Sequence, residues 1–285
     1  MILFDFFDIC FVVCFFFAKK NGFKSLFFFK RRSFLCFECL FFLFLSFTAP
    51  HGPLQAKPED LAKLEHITKP RRRKYAGLVK ALDDNVGKVL AALDAAGLAD
   101  NTLVVFTNDN GGQTQTGANN GKLRGRKGML LEGGIRVPMC MRWPGRIAKG
   151  STIEEPVISL DFLPTFVAIN GGVVDPAWNL DGVNLLPRLT GAVAKLEERV
   201  LYWRHHDERA VRIGKHKLYV TNAGDDAARN VYDLSVDIGE AAPLAQVDEK
   251  VAAALEGALA RLDGEMVPAK WGSKRRGKRK AAKKK

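Results

Sequence analysis

Residues 102–107 (TLVVFT) form a continuous apolar run, bounded by Asn101 on one side and by the turn formers at 108–112 on the other. A run of this length without polar alternation predicts a strand buried in a sheet. Upstream, residues 41–47 (FFLFLSF) make a second such run, ended by Pro50, His51, Gly52 and Pro53. Between the two lies the strongest helical pattern of the chain. Val79, Leu82, Val86, Val89, Leu90 and Leu93 fall on one helical face after Pro70 and the basic cluster at 71–74, and Gly97 stops the pattern. A shorter helix is expected over 58–67 (PEDLAKLEHI), opened by acids near its N-terminus. Strand, helix, strand in that order predicts a parallel sheet and places the chain in the α/β class.

A glycine-rich polar loop follows at 111–134, then a strand candidate at 135–143 (IRVPMCMRW) and a helix at 160–169 (LDFLPTFVAI) with Pro164 in its first turn. After Gly171 and Gly172 the pattern changes. RVLYWR, RAVRIG, KLYVT and NVYDL are short alternating or aromatic runs separated by turn residues, which predict an antiparallel sheet, and VAAALEGALARL predicts a closing helix. Two subdomains are therefore expected, an α/β portion over 41–172 and an antiparallel α+β portion over 173–269.

The ends differ from this body. Seventeen of the 20 Phe precede residue 49, and so do four of the five Cys. The stretch 1–40 admits three readings: a signal or anchor segment, ordinary core, or residues foreign to the domain. It opens with Asp5 and Asp8 instead of a basic region, and its apolar runs are shorter than the roughly 20 residues of a spanning helix. The last sixteen residues hold ten Lys or Arg and no acid, so most of the +13 net charge belongs to this tail. The tail, 270–285, reads as a disordered basic extension that either is merely solvated or binds polyanions without sequence specificity. It gives no basis for specific nucleic-acid recognition. The cysteines make no disulfide or metal framework, and Cys140, in VPMCMRW, reads as a buried, inert thiol.

Three clusters carry chemistry. Asp109 and Asn110, at the end of TLVVFT, offer two hard oxygens to Ca²⁺ or Mg²⁺, although Asn-Asp-Asn-Gly-Gly also suits a plain turn. Lys127 lies in LRGRKGMLLEGGIRVP, where glycines and neighbouring Lys122, Arg124 and Arg126 suit either an anion site or a solvated basic loop. The spacing is not that of a phosphate-binding P-loop. His51 sits at a strand end, as a surface histidine or as a proton donor. Metal oxygens, cations and a proton donor together suit hydrolysis of an anionic ester.

The segments NTLVVFTNDNGG, GKLRGRKGMLLEGGIRVPMCMRWPG and ISLDFLPTF resemble the arylsulfatase-type sulfatases of the alkaline phosphatase superfamily, in their C-terminal portion. SFTAPHGPLQAK is similar to the family's histidine loop, and LDGVNLLPRLTG, LYWR, AVRIGKHKLYV and VYDLSVDIGE resemble its C-terminal subdomain. The resemblance covers roughly 41–270. It implies that Asp109 and Asn110 are Ca²⁺ ligands, that Lys127 contacts the sulfate and the leaving oxygen, and that His51 contacts the sulfate and assists departure of the alcohol. It implies that Glu132 and Arg136 support the loop. It further implies a sulfated small molecule or glycan as substrate and an extracytoplasmic location. The family's nucleophile is a formylglycine in a Cys/Ser-x-Pro/Ala-x-Arg motif, preceded by paired aspartates on the metal. No cysteine of this sequence is followed by that pattern, and no Asp-Asp pair precedes His51. The chain is thus expected to lack turnover as given. Alternatives are a non-catalytic product that keeps anion or cation binding, and a phosphate-ester hydrolase of the same superfamily. Oligomeric state and the particular ester are not constrained.

Overall fold

The computed structural model describes residues 34–37, 40–221 and 227–267; the expectations for 1–33 and for the basic tail lie outside them. Strand β1 (Phe34–Phe37) pairs antiparallel with β2 (Leu40–Leu43), Phe34 opposite Leu43. Helix α1 (Pro58–Ala62) opens on a proline, with Glu59 and Asp60 in its first turn. It is half as long as its pattern suggests, because the backbone beyond Lys63 tightens into successive three-residue turns, Leu64 N–H to Leu61 O and Ile67 N–H to Leu64 O. Helix α2 (Pro70–Ala95) also starts on a proline, and Gly97 ends it in the left-handed region at φ 64°.

Strand β3 (Val104–Thr107) runs into the long glycine-rich loop, which ends in the single turn α3 (Glu132–Ile135) and then β4 (Met139–Arg142). Helices α4 (Phe162–Ile169) and α5 (Leu186–Leu189) follow. On one side of β3, Val104 is buried with Leu45 and with Leu82 and Leu93 of α2, the predicted apolar face. On the other side, Leu103 and Val105 pack against Phe162, Phe166 and Ile169 of α4. A strand sandwiched between helices needs apolar residues on both faces, which is why TLVVFT does not alternate.

The α/β layering holds, but the pairing differs from the parallel sheet expected. Every strand pairing among the described residues is antiparallel. β3 pairs with β4, Val104 opposite Arg142 and Thr107 opposite Met139. The run at 41–47 packs beside β3 through side chains while its ladder is made with β1. A short hairpin closes a far smaller loop than a crossover through α2. Cys140 is a second correction. β4 alternates half-buried and exposed positions, and Cys140 falls on the outer face. Neighbouring protein still desolvates the sulfur and pushes its pKa up, which disfavours the thiolate although the residue is not in the core.

The C-terminal strands β5 (Val200–His205), β6 (Glu208–Ile213), β7 (His216–Thr221) and β8 (Ala228–Asp233) form an antiparallel meander in sequence order. Helix α6 (Glu249–Glu265), capped by the Asp248 carboxylate accepting from the N–H groups of Lys250 and Val251, covers one face with Leu255, Ala258 and Leu259. The other face, through Ala210, Tyr219 and Tyr232, packs on Leu130 and Leu131. The end of the glycine-rich loop is therefore part of the core of the C-terminal sheet. A second tie is the two-pronged pair of Arg199 and the fully buried Asp161, at 2.5 and 2.6 Å.

Candidate functional site

The end of β3 delivers Asn108, Asp109 and Asn110 to the mouth of the glycine-rich loop. Asn108 is buried, Asp109 is exposed and Asn110 is half-buried. The side-chain amide groups of Asn108 and Asn110 are buried with no hydrogen-bond partner. Such orphaned groups cost about 1–3 kcal/mol each, so an amide oxygen left in this state beside an exposed carboxylate suits a cation ligand. Among the described residues no group of three or more His, Cys, Asp or Glu could hold a metal. The donor set of Asp109 and Asn110 is compatible with a hard cation such as Ca²⁺, but supplies only a minority of the oxygens such an ion takes.

The loop is held against this turn by backbone-on-backbone packing. Gly111 N–H donates to Gly134 O at 2.9 Å, and a Cβ at Gly111 would lie 1.9 Å from Gly133 O. A Cβ at Gly134 would lie 2.0 Å from Met129 O. These glycines let two chain segments touch; the space above Gly133 and Gly134 is filled by carbonyls instead of by an anion. Asn120, buried, acts as a clamp. Its Oδ1 accepts from Gly112 N–H at 2.9 Å, and its Nδ2 donates to Gly112 O at 3.1 Å and Gly125 O at 2.9 Å. Lys127 N–H reaches Gly112 O at 3.4 Å. Lys127, half-buried, is therefore brought beside the turn that carries Asp109 and Asn110.

Below the loop lies a buried charge cluster. Lys217 of β7, fully buried, places its Nζ 2.8 Å from Glu132 Oε1 and 2.8 Å from Glu240 Oε1. Glu132 N–H donates to Glu240 Oε2 at 2.5 Å, and Arg124 donates to Glu240 O at 2.8 Å. Glu132 thus ties the end of the loop to β7, while the exposed Arg136 lies 3.5 Å from the Glu132 carboxylate within the same turn. Burial pushes the Glu240 carboxyl above its ordinary value, against the Lys217 ammonium, which holds it down. Asn120, Lys217 and Glu240 were not among the residues singled out in the sequence. Lys217 did carry a signal: it shares an inward face of its strand with Tyr219, where a charge must be paired.

His51 is exposed, and its hydrogen bonds are local: its N–H donates to Thr48 O at 2.9 Å and its ring Nδ1 lies 2.9 Å from Gly52 O. Neither ties it to Asp109 or Lys127. A different histidine does approach the loop. The β5–β6 hairpin presents His205 and His206, their ring centroids 4.2 Å apart, and the Cε1 of His205 lies 3.9 Å from where a Cβ of Gly128 would be. Glu208 Oε2, on the same hairpin, accepts from Leu130 N–H at 3.1 Å.

Against known proteins, a sulfatase family profile matches residues 40–172, and one for the C-terminal region of N-sulphoglucosamine sulphohydrolase matches residues 125–263. Steryl-sulfatase of Rattus norvegicus is 37% identical over 190 residues, 60% of this chain and 32% of its own length. Arylsulfatase H of Homo sapiens is 39% identical over 170 residues, 57% of this chain and 29% of its own. The crystal structure of Ps i-CgsB in complex with k-i-k-neocarrahexaose superposes with a TM-score of 0.73 at 33% identity, over 80% of this chain and 51% of that one. The chain spans about a third of the length of these curated relatives and about half of the solved structure.

Proposed function

Because the chain belongs to the sulfatase family, we propose that it carries the cation-binding and sulfate-binding side of a sulfuric ester hydrolase, converting sulfate ester and water to alcohol and sulfate. The observation that carries this reading is the packing of Gly111 and Gly112 against the 125–134 segment, which sets Lys127 beside Asp109 and Asn110. In that arrangement the Lys127 ammonium meets a sulfate oxygen, and in a site with a nucleophile it would neutralise the charge that grows on the leaving oxygen. His51, exposed on its loop, gives a second contact to the sulfate, and in a site with a nucleophile its imidazole would give a proton to the departing alcohol. Asp109 and Asn110 would hold Ca²⁺, which when bound supplies positive charge to the sulfate oxygens.

The formylglycine of the family does not fit these residues. No Cys or Ser of the sequence is followed by x-Pro/Ala-x-Arg, and Cys140, the one cysteine among residues 41–285, stands on the outer face of β4. No step is therefore routed through it, and the 285 residues bind sulfate esters without turning them over. A sulfated glycan is the favoured ligand, supported by the relative crystallised with k-i-k-neocarrahexaose, and an extracytoplasmic location follows from the same family reading. The test is calorimetric titration with 4-nitrophenyl sulfate in the presence of Ca²⁺. Binding that is lost in Lys127→Ala is expected, with no release of nitrophenol. Absence of binding would overturn the site, and hydrolysis abolished by Lys127→Ala would overturn the non-catalytic part.

A further inference from the structure

The β5–β6 hairpin reaches the sulfate loop from the C-terminal sheet and is fastened there. Glu208 Oε2 takes the Leu130 N–H, and Leu130 and Leu131 lie in one cluster with Ala210. At its tip the ring of His205 points its Cε1 at Gly128, one residue after Lys127. Gly128 has φ +85°, a conformation that disfavours a side chain, and a Cβ there would already touch the imidazole, so the His205 ring packs directly over the loop. Gly128 follows Lys127 directly, so the exposed ring of His205 stands at the edge of the segment that carries Lys127. Among the described residues no protein group hydrogen-bonds to the imidazole of His205 or His206, and both residues are exposed. The tip, Arg204 to Glu208, consists of hydrogen-bonding side chains, and none of the exposed large apolar residues of the chain lies on it.

We propose that His205 forms the alcohol-side wall of the site and hydrogen-bonds a hydroxyl of a sulfated sugar whose sulfate rests on Lys127. This rests on the assignment of Lys127 as the sulfate contact. It makes His205 a specificity-determining residue supplied by the C-terminal sheet. A ring rich in hydroxyls matches a wall of imidazoles and charges; a flat hydrocarbon skeleton would leave those groups desolvated and unpaired.

Three probes separate the outcomes by calorimetry with Ca²⁺ present: inorganic sulfate, 4-nitrophenyl sulfate and glucose 6-sulfate. Lys127→Ala is expected to weaken all three. His205→Ala is expected to weaken glucose 6-sulfate by about five- to tenfold, the size of one hydrogen bond, and to leave the other two within about twofold. His205→Gln, which keeps a donor and an acceptor, is expected to recover part of the loss. Equal losses on all three probes, or no loss on glucose 6-sulfate, would overturn the role of His205 while leaving the Lys127 site standing. If no probe binds, or Lys127→Ala changes nothing, the Lys127 assignment fails and this inference fails with it.

Discussion

Replacing Lys217 by Met tests whether the buried charge cluster holds the glycine-rich loop on the C-terminal sheet. Lys217 is fully buried, and its ammonium serves two carboxylates at 2.8 Å each. Methionine keeps most of the side-chain volume, so the change removes charge and little packing. It leaves Glu132 and Glu240 facing one another in the core. Stranding a buried charge costs about 3–5 kcal/mol. Arg136 at 3.5 Å and Arg212 at 3.9 Å still serve Glu132, so the loss should sit near the lower end, about 3 kcal/mol. Burial already raises the Glu240 carboxyl, and without the ammonium it rises further. A carboxyl whose folded pKa exceeds its unfolded one stabilises the fold only while protonated. That contribution is present below the unfolded value, about 4.3, and is lost as pH climbs through the folded value. The deficit of the variant should therefore be smaller at pH 5 than at pH 8. Urea unfolding followed by tryptophan fluorescence at both pH values measures this, and adding Glu132→Gln should restore part of the stability by removing one of the two facing charges. A loss under about 1 kcal/mol, or one that is the same at both pH values, would refute the reasoning.

Asn120→Ala should cost about 2–4 kcal/mol, since it strands one N–H and two carbonyls, and it should weaken inorganic sulfate binding by loosening the Lys127 segment; thermal unfolding and titration check the two effects separately. Ca²⁺ should bind with a dissociation constant of roughly 10⁻⁴–10⁻³ M, because Asp109 and Asn110 supply a minority of the six to eight oxygens it takes, and Asp109→Ala should abolish that binding in calorimetry; a sub-micromolar constant would mean other ligands complete the site. Deleting residues 272–285 should remove retention on heparin that in the full chain falls steeply between low and moderate salt, as counterion release requires; retention that survives the deletion would place the polyanion site on the body.

What could be read from the sequence was set by local periodicity. Helix α2 and strand β3 were visible because packing on one face or on both imposes a spacing that a single segment displays by itself. The partner of a strand is not a local property. The run at 41–47 and TLVVFT have the same apolar character, and nothing in either states that one pairs back to β1 and the other to β4. Cys140 was misplaced for a related reason: in MCMR each residue is apolar enough for the core, so the composition hides an alternation that the half-covered strand enforces.

The site divides along the same line. Asp109, Asn110 and Lys127 stand in segments whose turn glycines and charges are unusual enough to be noticed one at a time. Joining them is the work of contacts that each look ordinary in sequence: a glycine at 111 that admits a carbonyl, an asparagine at 120 with three backbone partners, a lysine at 217 inside an apolar strand. Lys217 lies 85 residues from Glu132, and Arg124 lies 116 from Glu240, so the loop is positioned by chain that folds as a separate sheet. The loop is short of regular structure, and a segment of that kind keeps a lysine in place only if something rigid grips it from outside. The C-terminal meander supplies that grip through Lys217 and Glu208, and with it the His205 edge. Sulfate binding and the stability of the C-terminal sheet should therefore rise and fall together across variants of Lys217, whereas substitutions on the outer face of β4 should change neither.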